Sequence, residues 1–267
     1  MPYAENDGTR IYWEEQGAGD SGASATVLLI MGLGYTHEMW NRVAPALGSK
    51  YRVISFDNRG VGLTDAPPGP YTMPAMAADS IAVMDAAGCP RAHVFGISMG
   101  GMIAQELVLR YPDRVGSLIL GCTACGGPHS TAAQPEVLET LRARGTMTVD
   151  EGIRAMVPYI YDAATPRERV EQDLEIRART YPKEESYFAQ LAGVAVHDTY
   201  DRLGSIAVPT LVIHGENDQL VPPENGRVLA GKIPGAKLVM LPGASHIFPT
   251  DQPEASLGAI LSFLSGA

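Results

Sequence analysis

Cysteine is scarce in this sequence. Three occur among 267 residues, an odd number too small for a disulfide framework and one that suits a reducing compartment. Cys122 and Cys125 form a C-x-x-C, but a structural zinc site wants four ligands and no second pair exists, so neither metal nor redox chemistry is expected there. Long apolar runs are lacking too: Val27 to Met31 breaks at Gly32 and Leu118 to Leu120 stops at Gly121, far short of the ~18 residues of a membrane helix. No membrane partner is expected. Positive charge is the minority, 20 Lys and Arg against 30 Asp and Glu, and a net charge of −10 repels a phosphate backbone. Nucleic acid is therefore not an expected partner. The opening residues, MPYAENDGTR, have neither a basic start nor an apolar stretch, so they do not read as a secretory signal and a cytoplasmic address is expected.

What is present is enough apolar material, 45% of the chain, to build one sizeable α/β domain with an insertion. Arg10 to Glu14, Thr26 to Met31, Tyr51 to Phe56, Ala92 to Phe95, Val115 to Leu120, Thr210 to His214 and Leu238 to Leu241 read as strands. Most are short continuous apolar runs, the signature of strands buried on both faces of a parallel sheet. Between them Met76 to Ala87, Met99 to Tyr111, Glu224 to Lys232 and Pro253 to Leu264 read as helices. The alternation predicts a doubly wound, mostly parallel α/β sheet formed by residues 1–125 and 206–267. Residues 126–205 break the rhythm with 13 acids, 9 bases and helix-like spacing, and predict an α-helical insertion over one edge of the sheet. Its apolar positions, among them Met147, Met156, Val157, Tyr159, Ile160, Tyr187, Phe188 and Leu191, suit a small core of its own.

Residues 94–101 read VFGISMGG, a strand running at once into Gly96-Ile97-Ser98-Met99-Gly100 and then a helix. Glycines two before and two after Ser98 permit a sharp strand-to-helix turn that lifts the hydroxyl out of the sheet. The following helix aims its free amides, Met99 N–H first, at negative charge developing beside Ser98, which is half of an oxyanion hole. A neutral hydroxyl is a poor nucleophile and needs a histidine to take its proton and an acid to orient that histidine. Of six histidines, His246 in Pro242-Gly243-Ala244-Ser245-His246 follows a strand at the carboxyl edge of the sheet and fits best. His37, His93, His129, His197 and His214 show no metal-ligand spacing, and no metal or cofactor is inferred. For the acid, Glu216 and Asp218 both lie just past the strand that ends at His214.

These stretches resemble the α/β-hydrolase superfamily across nearly the whole chain, and within it small bacterial carboxylesterases and enol-lactone hydrolases. The resemblance rests on Leu29-Ile30-Met31-Gly32-Leu33-Gly34, on Phe56-Asp57-Asn58-Arg59-Gly60-Val61-Gly62, on the serine turn, and on the Asp218 and His246 loops. It implies that Asp218 is the acid, giving the chain order Ser98, Asp218, His246. It also implies that Leu33 supplies the second oxyanion amide and that the insertion is the family's cap. Many relatives carry His-Gly where this chain has Met31-Gly32, a departure that keeps the Leu33 backbone donor but leaves open what supports that loop. Relatives that cleave carbon–halogen bonds or epoxides use aspartate as nucleophile, and Ser98 argues against both activities.

The expected function is thus a Ser-His-Asp hydrolase of carboxylic esters, small to medium and mostly apolar, working through an acyl-enzyme. Trp40 and Met102 are expected to line the acyl side of its pocket or to pack in the core. Asp57 and Arg59 are expected to pair or cap loops beneath the site. Arg142, Arg144 and Arg154 keep open a lactonase that clamps a free carboxylate. A small-ligand receptor without turnover is the alternative from another class, since a fold and its site can outlive catalysis.

Overall fold

The computed structural model describes residues 2–17 and 25–267; Met1 and residues 18–24, inside the expected 1–125 span, lie outside the described residues. Among the described residues eight strands form one sheet: β1 Tyr3–Asn6, β2 Thr9–Gly17, β3 Thr26–Ile30, β4 Arg52–Phe56, β5 Ala92–Ile97, β6 Val115–Gly121, β7 Thr210–Gly215 and β8 Lys237–Leu241. Their spatial order is β1-β2-β4-β3-β5-β6-β7-β8, with β1 and β2 antiparallel to their neighbours and the rest parallel. The chain leaves β3 toward β4 and returns on the other side to β5. That reversal opens a crevice beyond the carboxyl ends of β3 and β5, where ligands bind in open α/β sheets.

Burial explains the sequence pattern. Leu28, Ile30, Val94 and Leu118 pack on one face with Ile103 and Leu107 of the helix Met99–Arg110. Val27, Leu29, Phe95 and Ile119 pack on the other with Trp40, Phe248 and Phe263. With both faces covered, Val27 to Ile30 are all 0% exposed, and an unbroken apolar run is what such a strand requires. β1 was not legible because it is a four-residue edge strand with Ala4 its one fully buried side chain, which leaves no periodicity to read. The helix expected to start at Met76 starts at Met73: Pro74 occupies its first turn, where a missing N–H costs nothing, and Thr72 Oγ1 accepts the Ala75 amide at 3.3 Å.

The insertion is helical, as Pro135–Ala143, Val149–Ala155, Val157–Ile160, Arg167–Arg179 and Glu184–Ala195. It caps the sheet. Val137, Met156, Ile160 and Tyr161 form its own small core, against which Leu220 and Ile247 of the main domain pack. A buried carboxylate ties the cap down. Asp173, 0% exposed, takes hydrogen bonds from Arg42, from Tyr161 Oη at 3.1 Å and from Thr250 Oγ1 at 2.6 Å, so one side chain joins the cap to two segments of the main domain. Breaking a buried ion pair from one side leaves the other charge uncompensated. Asp173→Ala should therefore lower stability by about 3 kcal/mol, read as a fall in the urea midpoint, whereas an unchanged midpoint would show that the cap is held by apolar packing alone.

Candidate active site

Ser98 sits between the end of β5 and the start of the helix Met99–Arg110, at φ 57° and ψ −124°. Such a conformation costs a non-glycine residue roughly 1–3 kcal/mol and persists only when its surroundings fix it. They do so here: Ser98 N donates to Gly121 O at 2.9 Å, and Ser98 O accepts from Gly101 N at 2.9 Å and Thr123 Oγ1 at 2.7 Å. The two flanking glycines are steric necessities. A Cβ on Gly100 would stand 2.0 Å from Ile30 O, and one on Gly96 would stand 2.2 Å from Gly100 O.

His246 and Asp218 meet on the neighbouring loops. His246 Nδ1 lies 2.8 Å from Asp218 Oδ2. Because an ionised carboxylate only accepts, Nδ1 donates in this contact and Nε2 is the ring nitrogen not engaged by Asp218. Asp218 Oδ1 accepts the Leu220 and Val221 amides at 2.9 Å each, which fixes the carboxylate's orientation. His214 Nε2 stands 3.4 Å from Oδ2 while donating to Val221 O at 2.8 Å. Burial pushes the Asp218 carboxyl up, but the His246 charge and the hydrogen bonds from His214 and His246 outweigh it and hold the group at about 2. Cys122 lies beside this pair, its ligand atom within 4.8 Å of theirs. Burial, then the Asp218 charge, pushes its thiol well above the ordinary value, so it stays protonated as a packing group rather than a thiolate.

Ser98 and His246 open on one cavity of about 210 Å³. Among the described residues the two are not hydrogen-bonded to each other, as is common in the absence of substrate. Leu33, Met99 and Met102 line the same cavity. The loop after β3 is held by side chains that the sequence did not single out for it. Asn58 Nδ2 donates to Met31 O at 2.8 Å, and Gln190 of the cap accepts the Gly34 amide at 2.8 Å while donating to Arg59 O at 3.0 Å. Asp57 and Arg59 are structural: Asp57 accepts the His37 and Leu63 amides at 2.9 and 3.0 Å, and Arg59 grips Asp79 at 2.7 and 2.6 Å. Trp40 is not brought to the cavity. It is 1% exposed, packs on Phe95 with ring centroids 5.0 Å apart, and borders only a crevice of about 20 Å³. Of the three arginines considered, Arg142 and Arg154 are exposed and Arg144 alone lines the cavity.

The doubly wound sheet, the strained serine turn and the cap define a hydrolase of the α/β class. The chain belongs to the alpha/beta hydrolase family, whose sequence profile matches residues 27–259. It is 32% identical over 268 residues to a protein of Caulobacter sp. (strain K31) named "Putative carbamate hydrolase RutD", covering 96% of each chain. Among solved structures it is similar to the enol-lactonase from Burkholderia xenovorans LB400, with a TM-score of 0.88, 30% identity and coverage of 99% of this chain and 100% of that one. It is also similar to a thermophilic esterase from Thermogutta terrifontis solved with malate bound, with a TM-score of 0.84, 30% identity and coverage of 99% and 98%. Esterases and enol-lactonases were anticipated from the motifs; carbamate hydrolases were not. No helix among the described residues is long and apolar enough to cross a membrane.

The depressed Asp218 carboxyl has a consequence for acid stability. Its pKa falls from 3.8 to about 2 on folding, so its ionised form favours the folded state above about pH 4, and that contribution fades as the pH drops toward 2. The urea midpoints of the native protein and Asp218→Asn should differ most near neutral pH and converge through that window. A gap independent of pH would contradict the electrostatic account.

Proposed function

We propose that the protein is a serine hydrolase of small carboxylic esters acting through an acyl-enzyme. The observation that carries this reading is the 2.8 Å His246–Asp218 contact facing a cavity shared with Ser98. His246 Nε2 takes the Ser98 proton as the hydroxyl oxygen attacks the ester carbonyl, and Asp218 stabilises the imidazolium that forms. The Leu33 and Met99 amides receive the tetrahedral oxyanion. His246 returns its proton to the departing alcohol, then deprotonates a water that releases the acid and restores Ser98. The cavity is somewhat larger than the ~150 Å³ that accepts benzene, which suits an acyl group of roughly six to eight heavy atoms. Met102 on its wall is placed to contact that group, whereas Trp40 packs in the core.

Lactones are the second reading, favoured by Arg144 on the cavity wall and by relatives named as enol-lactonases. Ring opening would follow the same steps, with the leaving alcohol still joined to the acyl group. Neutral short-chain esters, a carboxylate-bearing lactone and a carbamate should be tried together. Ser98→Ala should lower kcat by at least about 10³-fold on whichever is turned over. Retained turnover would move the chemistry to another residue. Labelling of Ser98 by a fluorophosphonate without multiple turnover on any of the three would favour a ligand receptor.

A further inference from the structure

Arg144 and Arg177, both in the cap, are 2% and 1% exposed. Nε and Nη2 of Arg144, and all three guanidinium nitrogens of Arg177, are buried without a hydrogen-bond partner. Aromatic rings surround them instead. Arg144 Cζ lies 5.0, 5.4 and 5.2 Å from the ring centroids of Tyr35, Tyr181 and Tyr187, and Arg177 Cζ lies 4.9 Å from that of Tyr35. The Tyr187 hydroxyl donates to Leu141 O at 2.6 Å and that of Tyr181 to Arg144 O at 2.7 Å. The nearby buried acid, Asp173, is taken by Arg42, Tyr161 and Thr250. Ring quadrupoles attract a cation but offer its N–H groups no acceptor. Desolvating a cation costs several kcal/mol when no counter-charge is supplied. Such an arrangement suits a partner that arrives from outside.

Arg144 is where that partner can reach. Among the described residues it is the one permanently charged side chain lining the cavity that holds Ser98 and His246, among walls of Met31, Met102, Leu141 and Met156. An apolar pocket with one guanidinium binds an apolar chain ending in an anion, and the fork of Arg matches a carboxylate. We propose that Arg144 is a carboxylate subsite, so that the substrate is a small ester or lactone bearing a free carboxylate. Arg177, stacked on Tyr35, is a positioning residue that holds this ring and adds to the positive field. The proposal rests on the serine-hydrolase reading and narrows it. Where the free carboxylate is on the acyl part, the acid released is a dicarboxylate, which the same subsite would retain weakly.

The test compares kcat/KM for monomethyl glutarate and for neutral methyl pentanoate. The native protein should prefer the anionic ester. Arg144→Met should cut the anionic-to-neutral ratio by about 10- to 100-fold, the size of one charged hydrogen bond, mainly through KM; Arg144→Lys should recover part of it and Arg177→Met lower it less. The exposed Arg142→Met should keep the ratio. Separately, glutarate should raise the Tm of the native protein where glutaramide does not. No preference for the anionic ester, an equal loss on both esters in Arg144→Met, or no glutarate-specific Tm shift in the native protein overturns the subsite. A glutarate-specific shift in a protein that turns over neither ester and whose Ser98 resists a fluorophosphonate overturns the hydrolase reading instead, and leaves the anion subsite standing.

Discussion

The site depends on a backbone torsion that an L-residue adopts only under constraint. At φ 57° Ser98 turns the chain from β5 into the following helix with no intervening loop. The helix can dock there because Gly100 lets its backbone approach the carbonyl end of β3, where any side chain would collide with Ile30 O. One close approach therefore sets several things at once. It fixes the hydroxyl, brings the first amide of the helix near the chain leaving β3, and places Leu33 and Met99 on a common wall. The strain is balanced by bonds drawn from β6 and the segment after it, through Gly121 O and Thr123 Oγ1, so the turn is held from both sides.

Two buried acids beside the His246 loop show how environment assigns opposite roles to the same group. Asp218 has imidazoles and two backbone amides aimed at it, and its carboxyl is held low despite burial. Asp251 has the Thr165 hydroxyl at 2.6 Å and the Ser245 amide at 2.7 Å; burial wins and its carboxyl is raised. The difference is charge, since neutral donors soften desolvation while a neighbouring cation reverses it. Asp251 anchors the loop carrying His246 to the cap, and Asp218 orients the ring itself. The placing of the loop and the orientation of the ring thus come from separate carboxyl groups.

Much of this was legible because it is local. The strand runs, the glycine spacing around Ser98 and the loops ending in Asp218 and His246 each lie within about ten residues of chain, and parallel strands deliver such loops to a common edge. What escaped was set by contacts between distant segments. Gln190 is an ordinary helical glutamine until the fold puts it on Gly34 N, and Arg177 reads as one more cap charge until it is found sealed against Tyr35. Trp40, an aromatic just past the first glycine loop, has the sequence position of a pocket residue; the pairing with Phe95 buries it in the core instead. β1 left no trace because an edge strand with one buried side chain needs no pattern.

The division between sheet and cap is also a division of labour in the chemistry. The groups proposed to move a proton or hold an oxyanion are carried by loops at the sheet's carboxyl edge, and those loops are held by backbone bonds such as Ser98 N to Gly121 O together with side chains such as Asn58, Thr123 and Asp251. The cap contributes most of the facing wall and, with Arg144, its one permanent charge. Its small core means that its helices can change sequence without disturbing the serine turn. Gln190 and Asp173 limit that freedom, since each is a cap side chain on which the main domain's own geometry relies. A cap built this way can alter what is bound while keeping what is done to it. Relatives named for esters, lactones and carbamates around one conserved architecture are the pattern such a separation produces.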